Sequence, residues 1–178
     1  MADQNLTPLS DLKFPNIPGV RLPERIQTAY RLDFGPNFRS EGIVSLEPPK
    51  VGNPFPTLVP QVDSDGNEAA GIRLPEIQVP LATYTGWNLR APELGAADEL
   101  LSMVGSFIPF ARTKAERLKL RDPRPSIEER YPNRQQYLEG VRAAAHRLAG
   151  EGYLLESDIP SILAEAGEKW DYLLEPRP

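Results

Sequence analysis

The strongest pattern in the chain is a pair of apolar stripes at helical spacing near its end. Between Tyr137 and Leu148 the apolar residues fall at i, i+4, i+7, i+8 and i+11, which predicts a helix over residues 134–149 with one buried face. A second stripe, from Ile159 to Leu173, predicts a final helix that carries Pro160 in its first turn. Two such helices with a short connection are predicted to pack as an antiparallel pair.

The first half of the chain shows short alternating stretches instead. Tyr30–Phe34 alternates with period two and Gly42–Leu46 is largely apolar, so both are predicted to be short strands. A hairpin is predicted where Thr57–Val62 leads into Asp63–Asn67 and an extended stretch from Ala69 to Leu74 follows. Asp, Gly and Asn favour this prediction because they tolerate the left-handed dihedral angles of a tight turn.

Proline divides the chain into two parts. Of its 20 prolines, 13 lie at or before Pro92, and proline removes ladder donors and breaks helix interiors. Residues 1–92 are therefore predicted to be a proline-rich region of short strands with a β-hairpin, and residues 93–178 a helical region ending in the helix pair. The two regions are expected to form one structural unit of the α+β class, without a complete parallel sheet.

Composition excludes several partners and chemistries. A net charge of −5 lacks the surplus of Lys and Arg that binding to nucleic acid or to an anionic membrane requires. The absence of cysteine excludes disulfides, thiolate metal sites and cysteine nucleophiles. Residues 1–6 have neither the basic start nor the apolar core of a signal peptide, and no stretch reaches the ~18 apolar residues of a membrane span. The chain is expected to be soluble, and its sequence leaves the compartment open.

One run of positive charge departs from this acidic balance. Glu116 and Asp122 lie among six cationic residues, which are Arg112, Lys114, Arg117, Lys119, Arg121 and Arg124. Such a run is typical of a solvated helix face. Docking against an acidic partner or an anionic ligand is the alternative.

Candidate catalytic residues are few. His146 is the only histidine, and its helix places it on the polar face, where a surface position is favoured over catalysis. Ser10 and Lys13 have Ser-x-x-Lys spacing, but Pro8 and Pro15 disfavour the helix which that pair needs. The sequence has no Gly-x-Ser-x-Gly elbow and no glycine-rich phosphate loop. We therefore predict no catalytic residue, no metal site and no cofactor.

Three segments of the chain resemble a known family. They are residues 73–90, residues 105–117 and residues 122–131, and the longest strings read Thr83-Tyr84-Thr85-Gly86-Trp87-Asn88-Leu89-Arg90 and Asp122-Pro123-Arg124-Pro125-Ser126-Ile127-Glu128-Glu129-Arg130-Tyr131. They are similar to the C-terminal portion of bacterial alpha/beta hydrolase domain-containing proteins, which resemble esterases. The resemblance runs from about Pro8 to Leu174.

The resemblance implies a carboxylic-ester hydrolase whose nucleophile elbow and triad histidine lie upstream of the portion matched here. No position of this sequence matches those motifs, so no catalytic residue is carried over and a complete α/β-hydrolase sheet is not expected. The segment from Thr83 to Arg90 is the best candidate surface, because it combines aromatic, amide and guanidinium groups. The residues predicted to contact a substrate or partner are Tyr84, Thr85, Trp87, Asn88 and Arg90.

Three functions remain open from the sequence. The first is a non-catalytic C-terminal module that shapes or covers a substrate pocket, inactive alone, whose nucleophile and base come from the same polypeptide or a separate chain. The second is a free-standing binding or interaction protein without enzymatic activity, against which extensive exposed apolar surface would count. The third is a complete enzyme that uses Ser10 with Lys13, or an acid/base pair around His146.

Overall fold

The structure is a computed structural model and describes residues 5–175. The prediction that the chain does not start with a signal peptide concerns residues 1–6, of which residues 1–4 lie outside the described residues. Six short strands form within that range: β1 Leu6–Thr7, β2 Tyr30–Asp33, β3 Lys50–Pro54, β4 Val59–Pro60, β5 Ala82–Thr85 and β6 Ser106–Pro109. Six helices accompany them: α1 Phe38–Glu41, α2 Pro75–Gln78, α3 Lys114–Leu120, α4 Ile127–Arg130, α5 Arg134–Gly150 and α6 Ile159–Leu174. The predicted α+β class is confirmed.

The strands form three separate antiparallel pairs, β1 with β4, β2 with β3, and β5 with β6. As predicted, no complete α/β-hydrolase sheet assembles within residues 5–175. A search of the same residues for a bilayer-spanning helix finds none of sufficient length and apolar character.

The helices α5 and α6 form the predicted antiparallel pair and hold the main core. Arg134, at the start of α5, donates to the carboxylate of Asp171, near the end of α6, at 2.8 and 2.9 Å. This pairing requires the two helices to run in opposite directions. The ring of Tyr137 stacks on that of Trp170 with centroids 5.2 Å apart. The whole predicted stripe of α5 is buried, namely Tyr137, Val141, Ala144, Ala145 and Leu148.

Two predicted strands are not present. Residues 42–46 pair with no strand, because Gly42 ends α1 in a left-handed conformation and Ser45 then donates its backbone N–H to the carbonyl of Phe34. The partner of β2 is β3 instead. Residues 69–74 also form no strand. The predicted hairpin closes through a single bridge between Val62 and Glu68, after which the chain enters α2.

A buried arginine ties the β5–β6 pair to the segment before α4. The Arg124 side chain is 2% exposed, and its Nε and Nη2 donate to the carboxylate of Asp122 at 2.9 and 2.6 Å. Its Nη1 donates to Thr83 Oγ1 at 2.8 Å and to the carbonyl of Ile108 at 3.0 Å, and Nη2 also reaches the carbonyl of Pro109 at 3.2 Å. All five N–H groups of the guanidinium therefore have an acceptor.

A second arginine extends this network to the turn at residues 63–67. Arg130 donates from both terminal nitrogens to the carboxylate of Asp65, with Nη1 to Oδ2 at 2.8 Å. Thr83 Oγ1 donates to the backbone carbonyl of Asp65. Both guanidinium groups lie over the ring of Phe110, with Arg130 Cζ 4.1 Å and Arg124 Cζ 5.1 Å from the ring centroid. One aromatic ring therefore makes cation–π contacts with both arginines.

Replacing the buried guanidinium should destabilise the whole fold. Arg124→Lys keeps the charge but cannot supply five donors in a planar fork, so acceptors on β5 and β6 lose their partners. We expect the free energy of unfolding to fall by about 3 kcal/mol, measured by urea unfolding. The matched control is Arg147→Lys at an exposed position of α5, which should change stability by less than about 0.5 kcal/mol. Equal effects of the two substitutions would contradict this assignment.

The ion pair also predicts a loss of stability in acid. Burial alone raises the pKa of the Asp122 carboxyl, but the hydrogen bonds and charge of Arg124, with help from Arg117, outweigh burial and hold that pKa below its ordinary value of 3.8. A depressed pKa stabilises the fold fully above the ordinary value, and the contribution is lost as the pH falls through the folded-state pKa. Urea unfolding at neutral and acid pH measures this loss. Asp122→Asn should lack this part of the pH dependence, and an unchanged acid limb in that variant would refute the prediction.

Candidate functional site

A buried asparagine positions the segment that was predicted to contact a ligand. Asn67 is 0% exposed, and its Nδ2 donates to the carbonyl of Ala82 at 3.1 Å while its Oδ1 accepts the backbone N–H of Tyr84 at 2.8 Å. The side-chain amide thus pairs with the free edge of β5 as a neighbouring strand would. The turn at residues 63–67 is thereby fixed against the start of the candidate segment.

Two hydroxyl groups set the turn that follows β5. Thr85 Oγ1 donates to the carbonyl of Trp87 at 2.5 Å and accepts the backbone N–H of Ser106 at 3.1 Å. Ser106 Oγ donates to the same Trp87 carbonyl at 2.9 Å. These bonds hold the Trp87 backbone in place, and the indole meets the ring of Phe14 edge-on with centroids 5.7 Å apart.

A cavity of about 180 Å³ lies beside this turn. Thr85 and Trp87 line it together with apolar side chains, and Glu68 is the one charged residue in the lining. The apolar contributors include Phe14, Leu22, Ile26, Val62 and Leu100. A cavity of about 150 Å³ with such a lining holds benzene, so this space accommodates an apolar group of that size.

The other predicted contact residues do not extend their side chains into the cavity as Thr85 and Trp87 do. Tyr84 also borders the cavity, but strand alternation directs its side chain to the face opposite Thr85. Its ring meets Phe107 at 5.4 Å and lies 5.7 Å from Lys169 Nζ, and burial raises the pKa of its hydroxyl, with Glu76 adding to the shift.

Asn88 and Arg90 lie outside the cavity lining. The Arg90 guanidinium donates to the carbonyls of Gly95 at 3.2 Å and Leu94 at 3.4 Å, so it closes its own loop. The backbone carbonyl of Asn88 accepts the backbone N–H of Leu101 at 2.8 Å. The structure therefore brings Thr85 and Trp87 to the cavity wall, and a contact role for the other predicted residues stays a prediction.

The residues considered for a complete enzyme do not meet. His146 Nδ1 lies 3.4 Å from Glu156 Oε2, and both side chains are more than half exposed. Ser10 donates its hydroxyl to Asp11 at 3.1 Å. Within residues 5–175, no hydrogen bond joins His146 or Lys13 to a hydroxyl group. A general base acts on a nucleophile only when it reaches the proton that it removes.

Some residues of the basic run at 112–124 are buried or form ion pairs within the fold, which was not predicted from the sequence. Arg124 is buried, and Arg117 Nε donates to Glu129 at 2.8 Å. The backbone N–H of Ser126 and the side chains of Ser126 and Arg117 lower the pKa of Glu129 to about 2 despite an opposing effect of desolvation. The available signal was the two-residue spacing of Asp122 and Arg124, which lets the carboxylate accept from both the backbone and the guanidinium.

Removing the buried amide should loosen the turn at the site. Asn67→Ala leaves the carbonyl of Ala82 and the N–H of Tyr84 without their hydrogen-bond partner. We therefore expect the free energy of unfolding, measured by urea unfolding, to fall by about 2 kcal/mol. Asn37→Ala is the control, because Asn37 is exposed and its side chain forms no capping bond. The control should stay within about 0.5 kcal/mol. A drop no larger than the control would show that the amide does not hold the turn.

Comparison with protein-family models identifies the family of this chain. A family model described as "Alpha/beta hydrolase domain" matches residues 20–164, a range that includes Trp87, the buried arginine and most of the cavity lining. No curated protein and no solved structure matches the chain. Since the matched range is well over half of the sequence, the chain belongs to the alpha/beta hydrolase domain family.

Proposed function

We propose that this chain is a non-catalytic C-terminal module of an esterase-like hydrolase, shaping or covering a substrate pocket. The nucleophile and base would be supplied by another part of the same polypeptide or by a separate chain. The observation that carries the proposal is the apolar cavity against Trp87 in a chain of the hydrolase family. Among residues 5–175, the cavity lining contains no histidine, lysine or serine that could form a catalytic pair. Acyl transfer requires a nucleophile, a base and oxyanion donors in one rigid site.

An exposed apolar surface next to the cavity supports a covering role. Large apolar side chains are exposed along residues 94–107, and Met103 is 101% exposed. Leu100 belongs both to this surface and to the cavity lining. The exposed members are Leu94, Leu100, Leu101, Met103, Val104 and Phe107. An apolar patch beside a pocket is typical of a surface that packs on another body, and this favours a module over a free-standing binding protein.

The lining favours an uncharged ester as the ligand. The cavity walls are apolar, which suits a benzene-sized acyl or alcohol group. Glu68 would repel a carboxylate, so the acid released by hydrolysis should bind more weakly than the ester. The module would therefore hold the apolar part of the substrate and help the charged product to leave.

Binding of phenyl acetate tests the pocket directly. In a Trp170→Phe background Trp87 is the only tryptophan, so a ligand in the cavity should change its fluorescence in a saturable way. Val62→Phe places extra volume in the lining and should weaken binding about tenfold or more. Val44→Phe makes the same change at an exposed position outside the lining and should leave affinity unchanged. Absence of saturable binding, or equal effects of the two variants, would overturn the pocket assignment.

Turnover by the chain alone tests the non-catalytic assignment. The full chain should bind phenyl acetate without releasing phenol, and a fluorophosphonate should form no covalent adduct. Ser10→Ala and His146→Ala should bind the ester as the unchanged chain does. Phenol release or an adduct that disappears in either variant would show instead that the chain is a complete enzyme.

A further inference from the structure

A second cavity, of about 190 Å³, lies between α2, α5 and α6. It shares no lining residue with the cavity beside Trp87. The proposed hydrolase function does not use it, so a ligand bound here would occupy a place distinct from the proposed ester pocket.

This second cavity has an apolar end and a charged end. Ile162, Ala166 and Lys169 follow one face of α6 at helical spacing, and all three line the cavity. The seven residues from Ile162 to Lys169 span about 10 Å of helix. Because α5 runs antiparallel to α6, its lining residue Val141 lies toward Ile162, whereas Tyr137 lies toward Lys169. The lining is therefore amphipathic along its length.

The charged end carries an excess of one negative charge. Two carboxylates, Glu76 and Glu165, line the cavity with one ammonium group, that of Lys169. Lys169 Nζ donates to Glu76 Oε2 at 2.5 Å and lies 5.7 Å from the ring centroid of Tyr84. Glu165 lies one helical turn before Lys169 and forms no ion pair within residues 5–175. Its charge is therefore left uncompensated beside the cavity.

A buried hydroxyl without a hydrogen bond lies at the same end. Tyr137 is 2% exposed and lines the cavity, and no group within residues 5–175 forms a hydrogen bond with its hydroxyl. The neighbouring Tyr131, by contrast, donates its hydroxyl to the carbonyl of Pro80 at 2.9 Å. Burial raises the pKa of the Tyr137 hydroxyl, and Tyr84, Tyr131 and Glu76 add to the shift, so the hydroxyl lies within electrostatic range of the Glu76 carboxylate. Because buried polar groups are nearly always paired, this hydroxyl points to a polar ligand atom.

We propose that this second cavity binds a primary amine whose apolar body is about the size of benzene. The body lies at the apolar end and the ammonium group at the charged end. An ammonium group has three N–H donors. Three acceptors match them: the Glu165 carboxylate, the Tyr137 hydroxyl, and Oε1 of Glu76, whose Oε2 already accepts from Lys169. A cavity of about 150 Å³ holds benzene, so this one has room for a short carbon chain as well.

Charge selects an amine over other small amphipathic ligands. A carboxylate would be repelled by Glu76 and Glu165, and Lys169 already donates to Glu76. An alcohol could pair with the Tyr137 hydroxyl, but it would leave the charge of Glu165 uncompensated. An ammonium group satisfies the hydroxyl and the free carboxylate together, with hydrogen bonds that its charge strengthens.

Three ligands with similar apolar bodies test the charge selection. Calorimetric titration of the full chain should show saturable binding of phenethylamine, about tenfold weaker binding of phenethyl alcohol and no binding of hydrocinnamate. Failure of phenethylamine to bind, or an alcohol or acid that binds as tightly, would overturn the proposal. Binding of phenyl acetate beside Trp87 is measured separately, so failure of one site is distinguishable from failure of the other.

Neutralising one carboxylate at a time locates the bound amine. Glu165→Gln should weaken phenethylamine binding about tenfold, because the uncompensated charge is lost. Glu168→Gln is the matched control, since it makes the same change at an exposed position of α6 outside this lining. Glu68→Gln removes the one charge of the cavity beside Trp87. Both should keep the affinity of the unchanged chain. Equal losses in Glu165→Gln and Glu168→Gln, or a loss confined to Glu68→Gln, would refute the assignment.

Removing the hydroxyl separates a binding role from a structural one. Tyr137→Phe keeps the ring that stacks on Trp170 and should weaken phenethylamine binding about fivefold. The urea midpoint of unfolding should not fall, because no hydrogen bond within the described residues is lost. A lower midpoint together with unchanged amine affinity would show that the hydroxyl serves the fold and not a ligand, and it would contradict the proposal.

Discussion

A buried positive charge is the constraint on which the rest of the structure depends. A guanidinium does not lose its proton in a protein, so Arg124 stays charged wherever it is buried. Asp122 compensates the charge, but two carboxylate oxygens cannot accept five N–H groups in that geometry, and the remaining donors reach β5 and β6. Burial of this one side chain therefore requires three segments of the chain to be assembled together, which explains how the four-residue strands β5 and β6 hold without a larger sheet.

The site follows from that assembly. Thr83 accepts from Arg124 and donates to the carbonyl of Asp65, whose carboxylate holds Arg130. The same turn contains Asn67, which pairs with the edge of β5. The backbone that leads to Trp87 is thus fixed from both sides. A rigid wall lets a pocket hold the apolar part of a ligand in one place.

Local patterns explain which features the sequence predicted. The helices of the second half depend on 3.6-residue spacing and on caps such as Ser126 with Glu129, and these contacts lie within a few residues. The β5 strand was not predicted, because Ala82 and Thr83 are both buried and period-two alternation disappears when both faces are covered. Arg124 was assigned to a solvated face because its partner Thr83 lies 41 residues away. The loop that Arg90 closes was not predicted, because carbonyl acceptors within a loop leave no mark in the sequence.

Proline limits strand pairing in the first half of the chain. β3 ends in Pro54 and contains a register shift opposite Tyr30 to Leu32, and prolines and bulges protect a strand edge from further pairing. Beside β2, the carbonyl of Phe34 already accepts the backbone N–H groups of Ser45 and Leu46. The chain therefore covers part of that edge itself, and the abundance of proline in the first half acts against aggregation as well as against regular sheet.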